Sequence, residues 1–209
     1  MPQPTDGEPL TTSVIVRRRQ VALAGHLGDQ DSARRGLADP EPAVRATALG
    51  ALARLSALTL EDIDAAGADA HPRVRARAAE VAVSLQPPAP GVVGRALRDP
   101  DPGVVEAGCF ALGEIGRPAA ATVPALADVG RNHPDPLCRE AAVAALGAIG
   151  DPGGLPAILA ATSDKPAVRR RAVLALSPFS GPAVDAALQR ALSDRDWQVR
   201  QAAEDLTGR

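Results

Sequence analysis

Arginine is the side chain with which this 209-residue sequence could do most chemistry. Arg17, Arg18 and Arg19 run consecutively, Arg73, Arg75 and Arg77 alternate, and Arg169, Arg170 and Arg171 run consecutively again. A guanidinium presents a planar fork that takes a carboxylate or a phosphate bidentately, so such clusters are clamps for acidic protein segments or for nucleic acid. Arg17, Arg18, Arg19, Arg77, Arg169, Arg170 and Arg171 are therefore the candidate partner-binding residues. Trp197 joins them, since a lone amphipathic ring either anchors a partner or covers the end of a core. Charge runs also make plain solvated faces, and that reading stays open for Arg18, Arg19, Arg170 and Arg171.

Catalysis has less to draw on. His26, His71 and His133 are far apart, and His133 with Cys138 has no further ligand at tight spacing, so no metal site is expected. Cys109 and Cys138 form no CxxC pair and suit reduced thiols. The run Gly25-His-Leu-Gly-Asp29 lacks the lysine and the preceding strand of a phosphate loop. No Ser-His-Asp order suggests itself, so no catalytic residue and no cofactor are expected. A net charge of -2 gives no global positive field toward nucleic acid or an anionic membrane, and such binding needs a local patch. The opening Met1 to Leu10 lacks a basic and an apolar region, and nowhere do eighteen apolar residues run together, so the expected location is the cytoplasm, with no membrane. The single lysine, Lys165, amid many arginines points to a GC-rich coding genome.

The elements that position these side chains recur. A Val-Arg pair opens an amphipathic run at Val16-Arg17, Val44-Arg45, Val74-Arg75, Val104-Val105, Cys138-Arg139, Val168-Arg169 and Val199-Arg200, at intervals of 28, 30, 30, 34, 30 and 31 residues. With the arginine position as zero, apolar residues fall at -1, +3, +4 and +7, which is one face of a helix. Pro42, Pro72, Pro102, Pro136 and Pro166 stand where a first helical turn tolerates proline, and Asp101 and Asp135 are placed to cap it. Gly28, Gly116 and Gly150, at +11, mark helix ends. Shorter helical patterns such as Val184 to Leu192 lie between, so the unit is helix, turn, helix. With only three aromatic residues, the core must be built of Ala, Leu and Val.

Two stretches, Asp99-Pro-Asp-Pro-Gly-Val-Val with Ala111-Leu-Gly-Glu-Ile-Gly and Cys138-Arg139 with Ala145-Leu-Gly-Ala-Ile-Gly, resemble the short bacterial HEAT-like repeats of the phycobilisome-lyase type. The resemblance implies an all-α, right-handed α-solenoid of about six to seven repeats over residues 14–209, preceded by a flexible segment 1–13. It also implies that second helices line the concave side, where positions zero, +1 and +2 meet a partner. Arginines toward both ends and Glu106 and Glu140 at the central +1 positions then make a groove basic at its ends and acidic at its centre. In similar repeats the zero arginine pairs with the aspartate of the preceding turn; Asp39, Asp69 and Asp194 stand six residues before Arg45, Arg75 and Arg200, while Asp99 meets Val105. The expected function is a non-catalytic scaffold or adaptor that binds a protein partner, with self-association through an end of the solenoid as a further contact. The alternatives are nucleic-acid binding through the arginine clusters and a HEAT-like DNA glycosylase. The single tryptophan and the lack of tyrosine count against the glycosylase, which needs aromatics around an extruded base.

Overall fold

The computed structural model describes residues 12–208, and within them the chain is helical, with no strand. A helix α1 (Thr12–Leu27) is followed by six helix-turn-helix pairs: α2 (Gln30–Arg35) with α3 (Pro42–Arg54), α4 (Leu60–Gly67) with α5 (Pro72–Val81), α6 (Pro90–Val93) with α7 (Pro102–Ile115), α8 (Val123–Asn132) with α9 (Pro136–Ile149), α10 (Leu155–Ala161) with α11 (Pro166–Ala175), and α12 (Pro182–Ala191) with α13 (Trp197–Thr207). Odd-numbered helices stack on odd and even on even, which makes an α-solenoid of two layers. Of the segment 1–13, residues 1–11 lie outside the described residues, and α1 already begins at Thr12.

The starts and stops follow local chemistry. Each of the five prolines opens its helix, where its missing N–H has no carbonyl to serve. Asp101, Asp135 and Asp196 accept the N–H groups of Gly103, Leu137 and Gln198 at 2.9 Å. At +11 the chain takes positive φ at Gly28, Gly116 and Gly150 (82°, 69° and 66°), and Ser56 at the same register position takes 53° without being glycine. The longer interval of 34 residues between the fourth and fifth anchors is filled by a 3-10 turn (Arg117–Thr122) running into the ten-residue α8.

The +7 leucines Leu52, Leu112, Leu146 and Leu176 are fully buried between the layers, as are Val44, Val74, Val104, Cys138, Val168 and Val199 at -1. Small residues set how closely the odd helices stack. Gly25, Gly113 and Gly147, all at +8, lie against Ala51, Ala145 and Ala175, all at +6 of the next copy; a Cβ at Gly147 would meet the Ala175 Cβ at 2.7 Å. The Ala-Leu-Gly triplets are thus a packing device: alanine and glycine face the neighbouring odd helix, and leucine faces the even layer.

At the ends, Val14 and Val21 of α1 are buried against α3, and the open apolar side chains there are Ile15, Val16, Leu23 and Leu27. Val199 is buried and Leu206 half-buried, whereas Trp197 is 65% exposed at the start of α13. Val16 is the one -1 valine left open, because no described even helix precedes α1.

Removing buried methyl groups at Leu146 (Leu146→Ala) is expected to cost about 2–5 kcal/mol. Adding one methyl at the tight crossing (Gly147→Ala) is expected to cost about 1–3 kcal/mol, although alanine is the better helix former. Urea unfolding with parallel monitoring of helicity measures both, and a neutral Gly147→Ala would mean that the stack relaxes freely at that contact.

Candidate functional site

The zero-position arginines form a ladder along one edge of the stack. In the rungs of Arg45, Arg75, Arg139 and Arg169, Nη1 donates to backbone carbonyl oxygen of the turn before its own helix, such as Asp69 and Ala70 for Arg75 (2.9 and 3.1 Å). The rest of the fork reaches forward: Nε and Nη2 of Arg75 donate to Asp99 at 2.7 and 2.8 Å. Arg45 grips Asp69, Arg139 grips Asp164, and Arg169 grips Asp194 in the same way, at 2.6 to 2.9 Å. Arg17 grips Asp39, with Nε at 2.8 Å. The sequence expectation that each arginine pairs with the aspartate six residues before it is therefore corrected. That aspartate supplies only its carbonyl, and its carboxylate belongs to the arginine of the previous repeat.

Each aspartate has a second duty. Asp39, Asp69, Asp99 and Asp194 accept the N–H two residues on, at 2.8 to 2.9 Å, and so shape the turn that leads into the next odd helix. One rung is missing as a pair. Val105 replaces the arginine of the fourth copy, and the residue its fork would have reached is His133, not aspartate. His133 keeps the turn, because its Nδ1 accepts the Asp135 N–H at 3.2 Å and its carbonyl still accepts Arg139 at 2.8 Å. Cation and anion are lost together, so neither is left buried alone.

The ladder shifts its carboxyls downward. The Arg75 hydrogen bond holds Asp99 below the usual carboxylate range, and Arg17, Arg139 and Arg169 do the same for Asp39, Asp164 and Asp194. At Asp69 burial pushes upward, yet the bonds from Arg45 and the His71 N–H together bring the group down.

Of the residues read from sequence as partner-binding, Arg17 and Arg169 stand in the ladder, and Arg169 is buried there. Arg18 and Arg77 lie elsewhere, in a cleft of about 370 Å³ between α1, α3 and α5, together with Arg54, Arg73 and His26. Its floor is small: Arg77 lies over Gly50. Arg18 touches Thr47 Oγ1 at 3.2 Å and Arg77 touches Glu80 at 2.8 Å, while no carboxylate among the described residues takes Arg54 or Arg73. Among the described residues, Glu80 is the one acidic side chain lining this cleft, against four arginines.

A second cleft of about 360 Å³ lies farther along the same row, between α7 and α9. Its charge is reversed. Glu106, Glu114 and Glu140 line it, and Arg171 from α11 reaches Glu140 at 3.4 Å. Between the carboxylates stand Phe110 and Leu137, 62% and 57% exposed. Arg19 is exposed and lines neither cleft, Arg170 Nε is buried without a hydrogen-bond partner among the described residues, and Trp197 lies at the far end of the row.

Arg54, Phe110, Leu137 and Glu114 were missed, and Arg73 was seen in its cluster but not taken as a binding residue, by reading only positions zero to +2. They fall at -2, +5 and +9, the flanks of the same helical face, and extending the register by one turn backward and two turns forward finds them. The cysteines are packing residues: burial pushes the Cys109 thiol up to about 12 and the Cys138 thiol up to about 11. Among the described residues no three His, Cys, Asp or Glu side chains gather as metal ligands, and no helix is long and apolar enough to cross a membrane.

A family model of HEAT repeats matches residues 123–206, the stretch from the start of α8 into α13. No curated protein matches the chain. Among solved structures, the Escherichia coli protein YibA is similar at a TM-score of 0.63 with 14% identity, over 95% of this chain and 75% of its own. An engineered protein is similar at 0.61 with 19% identity, over 95% and 65%. A designed armadillo repeat protein follows at 0.51 with 14% identity, over 97% and 95%. At these identities the likeness is one of fold.

Truncating a rung at Arg75 (Arg75→Ala) leaves a half-buried aspartate without its cation and two carbonyls without a donor, and is expected to cost about 2–4 kcal/mol. Because folding lowers the aspartate pKa values, the ladder's contribution is complete above about pH 5 and is lost as the pH falls through about 4 and below. Urea unfolding across pH 3 to 7 checks this: stability should fall on the acid side, and Arg75→Ala should shrink that fall.

Proposed function

We propose that this protein is a non-catalytic scaffold or adaptor that holds a segment of a partner protein along the face of its odd helices, in the cytoplasm of a bacterium. The observation that carries this reading is a division of labour within one helix surface. Positions zero, -1 and +7 hold the stack together, whereas -2, +1, +2, +5 and +9 line the two clefts and leave strong charges and large apolar side chains open. Solenoids present extended binding surfaces of this kind because repeats add area in one direction. Arg18 and Arg77 belong to this face; Arg17 and Arg169 contribute through the positions they hold.

The experiment is site-specific photo-crosslinking in the native host, with the reactive residue at Glu80 or at Ala144 on the odd face and, as control, at Gln189 in α12. A discrete protein adduct from both face positions and none from the control is expected. It should disappear when Arg18, Arg54 and Arg77 are changed to Glu with helicity and melting unchanged. Adducts to nucleic acid, or protein adducts only from α12, would overturn the reading.

A further inference from the structure

Resting on that reading, the two clefts specify what kind of segment is held. We infer that the ligand is a polypeptide stretch of two-signed charge, with a cluster of Asp or Glu seated on α1, α3 and α5 and, about seven residues away, an apolar side chain flanked by Lys or Arg seated on α7 and α9. The acidic part meets Arg18, Arg54, Arg73 and Arg77, whose forks donate bidentately to carboxylates. The apolar part covers Phe110 and Leu137, and the flanking cation meets Glu106 and Glu114.

The spacing follows from the stack. Packed helices lie about 8–10 Å apart, and two and a half intervals separate α3, at the middle of the basic cleft, from the line between α7 and α9. That is about 20–25 Å, which an extended chain covers in about six to eight residues at 3.3–3.6 Å each. The same geometry selects against a nucleic acid. A phosphate chain that engages the four arginines carries its next charges onto three glutamates, of which, among the described residues, only Glu140 is offset, by Arg171. A polyanion is attracted at one cleft and repelled at the next, and it has no apolar group to cover Phe110. Like charges set against each other across a contact discriminate among partners more sharply than attraction alone.

The test is fluorescence anisotropy with the full chain and labelled synthetic peptides at two salt concentrations. One peptide carries three Glu, an about seven-residue Gly-Ser-Ala spacer and Leu between two Lys, and is made in both chain directions. The comparison ligands carry the Glu cluster alone, the Lys-Leu-Lys cluster alone, the two clusters with no spacer, and a single-stranded DNA of matching length. In one chain direction the spaced two-signed peptide should bind about tenfold or more tighter than any of these. Arg54→Glu with Arg73→Glu should remove about tenfold through its acidic part, and Phe110→Ser a similar factor through its apolar part, each with an unchanged melting curve. Equal binding of the Glu cluster alone, or loss of the spacing dependence, overturns the two-signed ligand while leaving the scaffold intact. Failure of every peptide to bind, alongside a protein adduct from Ala144, has the same meaning. Tighter binding of DNA than of any peptide overturns this inference and the protein-partner reading together.

Discussion

Among the described residues, at five of the six joints between successive repeats a guanidinium grips the aspartate of the turn ahead, and at four of them its own turn holds it through carbonyl oxygens. The rest of the structure depends on this contact, because the core beneath it has little shape with which to specify register. Alanine, leucine and valine fill the space between the layers, and the odd helices meet through alanine and glycine. Small side chains fit closely at these crossings, as at Gly147 and Ala175, but offer fewer large projections than aromatics to key one register over the next. The fork does not slide. Its planar donors fix the distance from turn to turn at five levels, and the same carboxylates shape the turns that start the odd helices.

The missing level at Val105 and His133 shows the same rule by exception. A valine alone would strand an aspartate in a half-buried turn, and an aspartate-to-histidine change alone would strand an arginine. Made together, they remove a pair whose net worth in a partly buried site is modest, and they keep the acceptor that the turn needs. The acidic and apolar cleft lies on the two helices that this rung would have joined, so the ladder's gap and the most distinctive part of the face coincide along the stack.

The repeat, the helix starts at proline, the buried +7 leucines and the helix ends at glycine were legible in the sequence, because each is a local signal that recurs at one register. The direction of the arginine fork was not. Asp69 stands six residues before Arg75, and sequence distance favours that pair, but the coil of the stack places Asp99, twenty-four residues on, at the open side of the fork. The charge pattern of the face was partly legible: arginines were seen toward both ends and glutamates in the middle. Its apolar component was missed because Phe110 and Leu137 sit on rows of mixed chemistry, which run from Ala43 and Arg73 to Ile15 at -2 and from Gly50 and Glu80 to Leu174 at +5. No periodic signal marks them, and only their exposure in the folded stack does.

Structure and binding are thus assigned to different arginines of one repeating surface, and the measurement that tests this division most directly is side-chain Nε–Hε NMR of the arginines during titration with the spaced two-signed peptide. The account predicts that Arg45, Arg75, Arg139 and Arg169 give slowly exchanging, ion-paired signals that stay in place throughout, while Arg54, Arg73 and Arg77 move and saturate together. Ladder signals that shift or broaden as strongly as those of the cleft, with Arg54 and Arg73 unmoved, would contradict it.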